Sequence, residues 1–295
     1  MQNKDIEIVF AVTPNYLKYA TVTAISIIHN CLHRKIRIHF LYADIVDITE
    51  ENELNTIKEC VKNSFKFENV DIKFYDCSEK MYLLKDQNIG MWGEISRSHY
   101  MYFLSEYIIN AEKIIYIDTD IIVNCNIADV FDIDMKYKLV AMASPSGLES
   151  MGQDVSNAGF LMFNLKLWRE EKVLSKLLAM GKTLRNSNFC AQLLIHNYFK
   201  LSNPDRILFL DKNYNVFPHM HKDIDIQDIK VLHYTGYTHC RPWSDYCHLQ
   251  RGSELWWKFA RETSFYEDFL YVYICMDKIK RTSVTARTKS TFNDD

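Results

Sequence analysis

Short apolar runs alternate with longer amphipathic stretches through the first half of this chain. Ile6 to Val12 is apolar at every position but Glu7, the pattern of a strand covered on both faces. Asn15 to Cys31 then reads as a helix, with apolar positions that include Tyr16, Tyr19, Ala20, Val22, Thr23, Ile27 and Ile28. A second strand is expected over Ile36 to Ala43. The helix after it can be capped by Thr49, with Glu50 and Glu51 in its first turn, where the helix dipole favours acids. Val70 to Tyr75 makes a third strand. Strands alternating with helices at this spacing predict βαβ units and a largely parallel, helix-covered sheet.

Farther along, Met81 to Gly93 reads as a loop, Arg97 to Ile109 as an aromatic-rich helix, and Lys113 to Ile117 as a strand that ends in acid. Val140 to Ala143 and Gly159 to Phe163 are further strands. Leu165 to Lys182 is expected to be one helix with Leu167, Trp168, Leu174, Leu177 and Leu178 on its apolar side, and a second helix covers Phe189 to Phe199. Short strands follow at Ile207 to Leu210 and Val231 to Tyr234, before a Trp- and Tyr-rich helical tail. With no internal repeat and no low-complexity linker, the expected organisation is one domain over residues 1–252 and an aromatic, basic helical appendage over 253–295.

Composition narrows the class. A chain of 295 residues, 48% apolar and 25% charged, has the profile of a globular protein with a substantial core. A formal net charge of -3 gives no general attraction to nucleic acid, which is excluded as a partner. Met1 to Phe10 carries Lys4, Asp5 and Glu7 and lacks the apolar core of a signal peptide. No stretch approaches the roughly 18 apolar residues of a spanning helix. Eight cysteines without a CxxC pair suit a reducing compartment, so the expected location is the cytoplasm. The tail admits two readings. Trp256, Trp257, Phe259, Phe265, Tyr266, Phe269, Tyr271 and Tyr273, followed by Lys278, Lys280, Arg281, Arg287 and Lys289, either meet the cytoplasmic membrane surface peripherally or pack into the core ahead of a solvated basic end.

Candidate chemistry gathers in three segments. In Ile114-Ile115-Tyr116-Ile117-Asp118-Thr119-Asp120 an apolar strand stops at two carboxylates, where open α/β sheets bind their ligands. Residues i and i+2 of extended chain project to one side, so both acids can reach one ion, and oxygen ligands suit Mg²⁺ or Mn²⁺. The plainer reading is a solvated turn. The run from His233 to Trp243 combines an imidazole able to complete a metal shell, Gly236, which lets backbone approach a phosphate, and Arg241, which can hold a diphosphate oxygen. Against this stand a buried structural histidine, a surface arginine, and a zinc site among His233, His239, Cys240, Cys247 and His248, whose spacing fits no common zinc pattern. In Ser156 to Asn164, the small Ala158 and Gly159 let a ligand pack closely and the Asn157 amide suits a sugar hydroxyl, or else Asn157 merely makes a β-turn.

These segments, in this order, resemble the family 8 retaining glycosyltransferases, the group that includes glycogenin and bacterial lipopolysaccharide galactosyl- and glucosyltransferases. Two further segments are similar to that family: Ile8 to Tyr16 to its first strand and nucleotide-binding turn, and Asn164-Leu165-Lys166-Leu167-Trp168 to its asparagine-leucine-x-x-tryptophan run. The resemblance spans residues 6 to 243. It implies an α/β fold of GT-A type, a Rossmann-like mixed sheet flanked by helices with a small helical C-terminal appendage. It implies Mn²⁺ (or Mg²⁺) held by Asp118, Asp120 and His233, and a UDP-sugar donor. Ala11, Thr13 and Asn15 would form the nucleotide-binding turn, and Asp118, Thr119, Asn157, Gly236 and Arg241 would contact diphosphate and sugar. Gln192, on the sugar face, and Asp120 would be the catalytic residues, and the acceptor a glycan, with bacterial surface glycan expected.

Departures from the family are specific. Thr13 stands where the family usually has aspartate, Met101 or Tyr102 where it has arginine, and Ala191 and Leu193 where it has acids flanking the glutamine. The histidine-to-tryptophan run is two residues longer and ends in Arg241 instead of lysine. A family member that has lost transfer and binds nucleotide sugar or glycan as a partner is therefore the alternative. A haloacid-dehalogenase-type phosphatase fits less well, because here Ile121-Ile122-Val123 follows the acid pair.

Overall fold

A computed structural model describes residues 4–43, 51–85, 98–143, 157–183, 190–235, 241–244 and 251–274. In chain order the elements are β1 (Ile6–Val12), α1 (Leu17–His29), β2 (Ile36–Tyr42), α2 (Glu51–Ser64), β3 (Val70–Asp76), α3 (Ser105–Ile108), β4 (Ile114–Ile117), β5 (Ile121–Val123), α4 (Ala128–Phe131), β6 (Val140–Ala143), β7 (Phe160–Phe163), α5 (Leu165–Glu171), α6 (Val173–Gly181), α7 (Cys190–Ile195), β8 (Ile207–Leu210), β9 (Val231–His233) and α8 (Ser253–Ala260). Seven strands form one sheet in the order β3-β2-β1-β4-β7-β6-β8, and β5 and β9 pair separately.

The expected alternation is present in the first half, where β1 runs parallel to β2 and β4, and β2 to β3. The second half is mixed, since β7 runs antiparallel to both β4 and β6 while β6 is parallel to β8. Strand period sorts side chains into two cores, one on each sheet face. Ile6, Ile8, Phe10, Ile115 and Ile117 pack with α1, while Val9, Ile114, Tyr116, Leu161 and Phe163 pack with residues 100–109 and α5 to α7. The one charge in β1, Glu7, is buried because Arg37 Nη1 and His39 Nε2 reach its two oxygens at 2.6 Å each.

Three helix expectations change. Residues 98–104 wind as 3₁₀ turns and only Ser105–Ile108 is α-helical. Tyr100 to Leu104 are all at most 3% exposed, so the segment has no polar face to turn outward, and Tyr102 stacks on Tyr116 at 4.2 Å. The helix expected over Leu165 to Lys182 breaks at Lys172, which has φ 53°, and α6 begins anew with the Leu174 N–H donating to Glu106 Oε2 at 3.0 Å. The helix expected over Phe189 to Phe199 ends at Ile195 and continues as a π turn over His196–Leu201. Part of the expected loop, Met81 to Leu84, belongs to a 3₁₀ helix. The expected cap at Thr49 lies outside the described residues.

Asn164 caps α5 by accepting the Leu167 N–H at 3.3 Å, and Trp168, 1% exposed, donates Nε1 to the Leu139 carbonyl at 2.9 Å. Gly252, with φ 78°, opens α8, whose Trp256 and Phe259 enter the α1 core together with Phe265 and Phe269. Tyr271, Val272 and Ile274, at the end of a helical stretch over 266–274, are exposed. Among the described residues no helix is long and apolar enough to cross a membrane.

Candidate active site

The Asp118-Thr119-Asp120 turn leaves β4 at the carboxyl edge of the sheet and enters β5 at once. Helix α1 grips this turn with its few buried polar groups. Thr23 Oγ1 donates to the carbonyls of Thr119 (3.0 Å) and Ile121 (2.7 Å), and Ser26 Oγ accepts the Val123 N–H at 3.0 Å. Thr23, counted from the sequence among the apolar positions of the helix, therefore holds the acidic turn in place.

Pairing of β5 with β9 sets Ile121 opposite His233, and the Tyr234 N–H donates to the Asp120 carbonyl at 2.8 Å. His233 Nε2 thus lies 3.1 Å from Asp120 Oδ1 and 3.7 Å from Asp118 Oδ2. One oxygen from each carboxylate and one imidazole nitrogen fall within 4.8 Å of one another, as a shared cation would require. Behind them, Tyr116 donates its hydroxyl to Asp118 Oδ1, and Asn215 Oδ1 lies 2.8 Å from His233 Nδ1. Such outer partners orient metal ligands.

Gly159 explains how closely these groups approach. A Cβ there would lie 2.7 Å from His233 Nδ1 and 2.9 Å from Asp118 Oδ2, and the Gly159 carbonyl accepts the Asp118 N–H at 2.8 Å. The small residue expected to admit a ligand instead makes room for the protein's own imidazole.

The two carboxyls differ. Burial pushes Asp118 above the ordinary carboxylate range, and His233 and Tyr116 only partly oppose it. Burial acts on Asp120 in the same direction but is outweighed by His233 and by Arg241, whose Nε is 3.5 Å from Asp120 Oδ2, so Asp120 is held below that range. For His233 burial disfavours the charged ring, yet Asp120 and Asp118 prevail and its value is raised.

Of the other expected residues, Arg241 also donates Nη1 to Tyr16 Oη at 3.1 Å, joining the acidic turn to the segment after β1. Thr13 precedes the 3₁₀ turn Pro14–Tyr16, Asn15 is exposed within it, and Ala11 is half-buried near the end of β1. Asn157 and Gln192 meet, with Asn157 Nδ2 donating to Gln192 Oε1 at 3.2 Å. Gly236, His239, Cys240, Cys247 and His248 lie outside the described residues. Tyr116, Asn215 and the role of Gly159 were not read from the sequence. The only signal for Tyr116 was its position two residues before Asp118, which places both on one side of extended chain.

Met101 and Tyr102, at the family's arginine position, are both buried and supply no cation to the site. Ala191, beside Gln192, is buried in the core instead of facing outward.

The sequence model of Glycosyl transferase family 8 matches residues 7–247. Over 260 residues the chain is 28% identical to Glycosyltransferase GlyA of Streptococcus pneumoniae serotype 4, covering 85% of this chain and 34% of that protein. It is 27% identical over 237 residues to a putative glycosyltransferase of Haemophilus influenzae, covering 72% and 68%. The chain spans 34%, 42% and 46% of the pneumococcal relatives GlyA, GlyF and GlyB. Among solved structures, the galactosyltransferase LgtC in complex with donor and acceptor sugar analogs matches with TM-score 0.67 at 20% identity, over 88% of this chain and 96% of LgtC. That likeness assigns the mixed sheet and its flanking helices to the GT-A fold. With the family's sequence model extending over most of its length, the chain belongs to glycosyl transferase family 8.

Proposed function

We propose that this chain is a retaining hexosyltransferase that moves a sugar from a UDP-sugar to a hydroxyl of a glycan or glycoconjugate, with a divalent cation at Asp118, Asp120 and His233. The observation that carries the reading is the convergence of these three side chains within 4.8 Å at the carboxyl edge of the sheet. Two carboxylates and an imidazole suit Mn²⁺, with Mg²⁺ as the alternative. The residues fit such an ion, because His233 Nε2 faces both carboxylates while Nδ1 is engaged by Asn215. A bound cation would neutralise the charge that gathers on the departing diphosphate.

Arg241, placed beside Asp120 and Tyr16, would bind a diphosphate oxygen and add a second positive group there. In the transfer, the acceptor hydroxyl oxygen forms a bond to the anomeric carbon as the bond from that carbon to the diphosphate oxygen breaks. The bonding pair leaves with the nucleoside diphosphate, which takes the hydroxyl proton on the same face, so configuration is retained without an enzymatic nucleophile. Gln192 would position the sugar. Thr13 and Leu193 replace polar residues of the family and Ala191 is turned into the core, so fewer polar side chains remain for the donor, and a deoxy or N-acetyl sugar with fewer hydroxyls to satisfy is the expected one.

A second reading, a binding partner that no longer transfers, draws support from the buried aromatic Tyr102 at the family's arginine position. Calorimetry with UDP-sugars and Mn²⁺ beside a turnover assay separates the two: binding without turnover favours the partner. For the enzyme, Asp118→Asn or Asp120→Asn should abolish cation-dependent nucleotide binding and transfer while the fold is kept. Either variant turning over at the wild-type rate in chelator would sink the proposal. The location we propose is the cytoplasm, where the exposed Tyr271, Val272 and Ile274 would meet an anionic leaflet, aided by the charge of the basic residues that follow in the sequence. Salt-sensitive pelleting with anionic vesicles, lost on truncation after Met276, would support that contact, and equal negligible pelleting of both chains would refute it.

A further inference from the structure

Asn215 sits between the cation site and the sugar-facing residues, in a chain of side-chain amides whose polarity is fixed at two points by backbone. The Gly159 N–H donates to Asn157 Oδ1 at 2.8 Å. A backbone N–H is only a donor, so the atom of Asn157 facing it must be its oxygen. Asn215 meets that same oxygen at 2.9 Å and must present its Nδ2 amide. Its other atom, Oδ1, then faces His233 Nδ1 at 2.8 Å and can only accept, so Nδ1 carries a proton. With Nδ1 protonated, Nε2 is the ring atom that faces Asp118 and Asp120: it carries the second proton of the ion pair when no cation is present, and its lone pair would be free for a cation once that proton leaves.

The chain also runs the other way. Asn157 Nδ2 donates to Gln192 Oε1 at 3.2 Å, and the Ala158 N–H, again a donor only, lies 3.4 Å from the same oxygen. The carbonyl of Gln192 is thereby occupied by two donors. What Gln192 has left for a substrate is its Nε2 amide, which donates and cannot attack carbon.

We propose that Asn215 is a positioning residue, the centre of an amide relay that at one end fixes His233 in the form that binds a cation and at the other fixes Gln192 as a hydrogen-bond donor to the sugar. The relay deepens the transferase reading and rests on it for its sugar end. Its physical basis is that reversing any one amide sets oxygen against oxygen or N–H against N–H at the next link, so the two ends hold their polarity together.

Two substitutions at Asn215 separate the ends. Asn215→Asp keeps an acceptor for His233 Nδ1 but sets an anionic oxygen where the donor to Asn157 Oδ1 stood, a repulsion that competes with the Gly159 N–H and pulls the Asn157 amide away from Gln192. Asn215→Leu removes both links. Titration of the nucleotide-free protein with Mn²⁺ should show affinity within about threefold of wild type for Asn215→Asp and a loss of roughly 10- to 100-fold for Asn215→Leu. UDP-glucose and UDP-N-acetylglucosamine, each compared with UDP as the sugar-free reference, should lose their sugar-dependent part of binding in Asn215→Asp while UDP itself binds as before. Ring ¹⁵N spectra of the cation-free wild type, at alkaline pH where the imidazole is neutral, should show His233 protonated on Nδ1. A proton on Nε2 instead, an equal loss of Mn²⁺ affinity in both variants, or an unchanged sugar-dependent affinity in Asn215→Asp would each overturn the relay. A wild type that takes no UDP-sugar would sink the transferase reading, and the ring spectra and Mn²⁺ titrations would then decide the relay by themselves.

Discussion

Gly159→Ala adds one methyl group at the point where β7 meets the acidic turn and β9. Among the described glycines only Gly252 has a positive φ, so the cost at Gly159 is steric and owes nothing to backbone strain. The new Cβ would stand 2.3 Å from His233 Cε1 and 2.7 Å from Nδ1, where ordinary contact begins near 3.4 Å, so the ring must retreat by about 1.1 Å. A retreat of that size can stretch the 2.8 Å contact to Asn215 Oδ1 to as much as about 3.9 Å, past the range of a useful hydrogen bond. Asp118 Oδ2, 2.9 Å from the same methyl, is displaced as well. Overpacking of this kind costs about 1–3 kcal/mol of stability. Disturbance of a ligand and its outer partner costs on the order of 10- to 100-fold in cation affinity, equivalent to about 1.4–2.7 kcal/mol. Urea unfolding with and without saturating Mn²⁺ measures both effects, because a ligand of the native state stabilises it in proportion to its affinity. The variant should unfold earlier without cation and gain less from adding it. A midpoint and a Mn²⁺-induced shift both equal to wild type would show that His233 and Asp118 are not packed against this glycine.

Tyr116→Phe removes the hydroxyl that donates to Asp118 Oδ1 but keeps the ring stacked on Tyr102, so Mn²⁺ affinity should fall by up to about tenfold with little loss of stability; an unchanged titration would refute the orienting role. His233 has a raised value in the fold, so its ion pairing with Asp120 and Asp118 stabilises the cation-free protein fully below about pH 6.5 and is lost as pH rises through the higher folded value. Urea midpoints across that range should fall with pH in wild type and less in His233→Asn, while Mn²⁺ affinity should rise as the competing proton leaves. Trp168→Ala should cost about 3–5 kcal/mol, since it empties a fully buried site and removes one of the two donors to the Leu139 carbonyl, which keeps only the Asn164 N–H; chemical denaturation resolves a loss of that size.

The βαβ half and the acidic strand end were legible because they are local: Ile6–Val12 was bounded correctly by its apolar run, and Asp118 and Asp120 share a side through strand period alone. What escaped depended on distant chain. Ile121–Val123, only three residues long, was not expected as a strand, and pairing with β9 makes it one. Asn215 lies in an ordinary polar turn, and nothing nearby in sequence marks it as the partner of His233. The buried segment 100–104 misled because a helix is recognised by its polar face, which this segment lacks. Lys172 breaks a strongly periodic helix because Glu106, from another element, supplies the new cap.

The division of the site between β5 and β9 also governs when it can come into being. Asp118 and Asp120 emerge before His233, which follows only after β6, β7 and β8 have been made, and the pairing of Ile121 with His233 closes that whole span. Closing a loop of such sequence separation carries an entropic cost that slows folding. Nascent or truncated chains that stop short of β9 hold the two acids without their imidazole, so tight uptake of the proposed cation would be a timer for completed assembly.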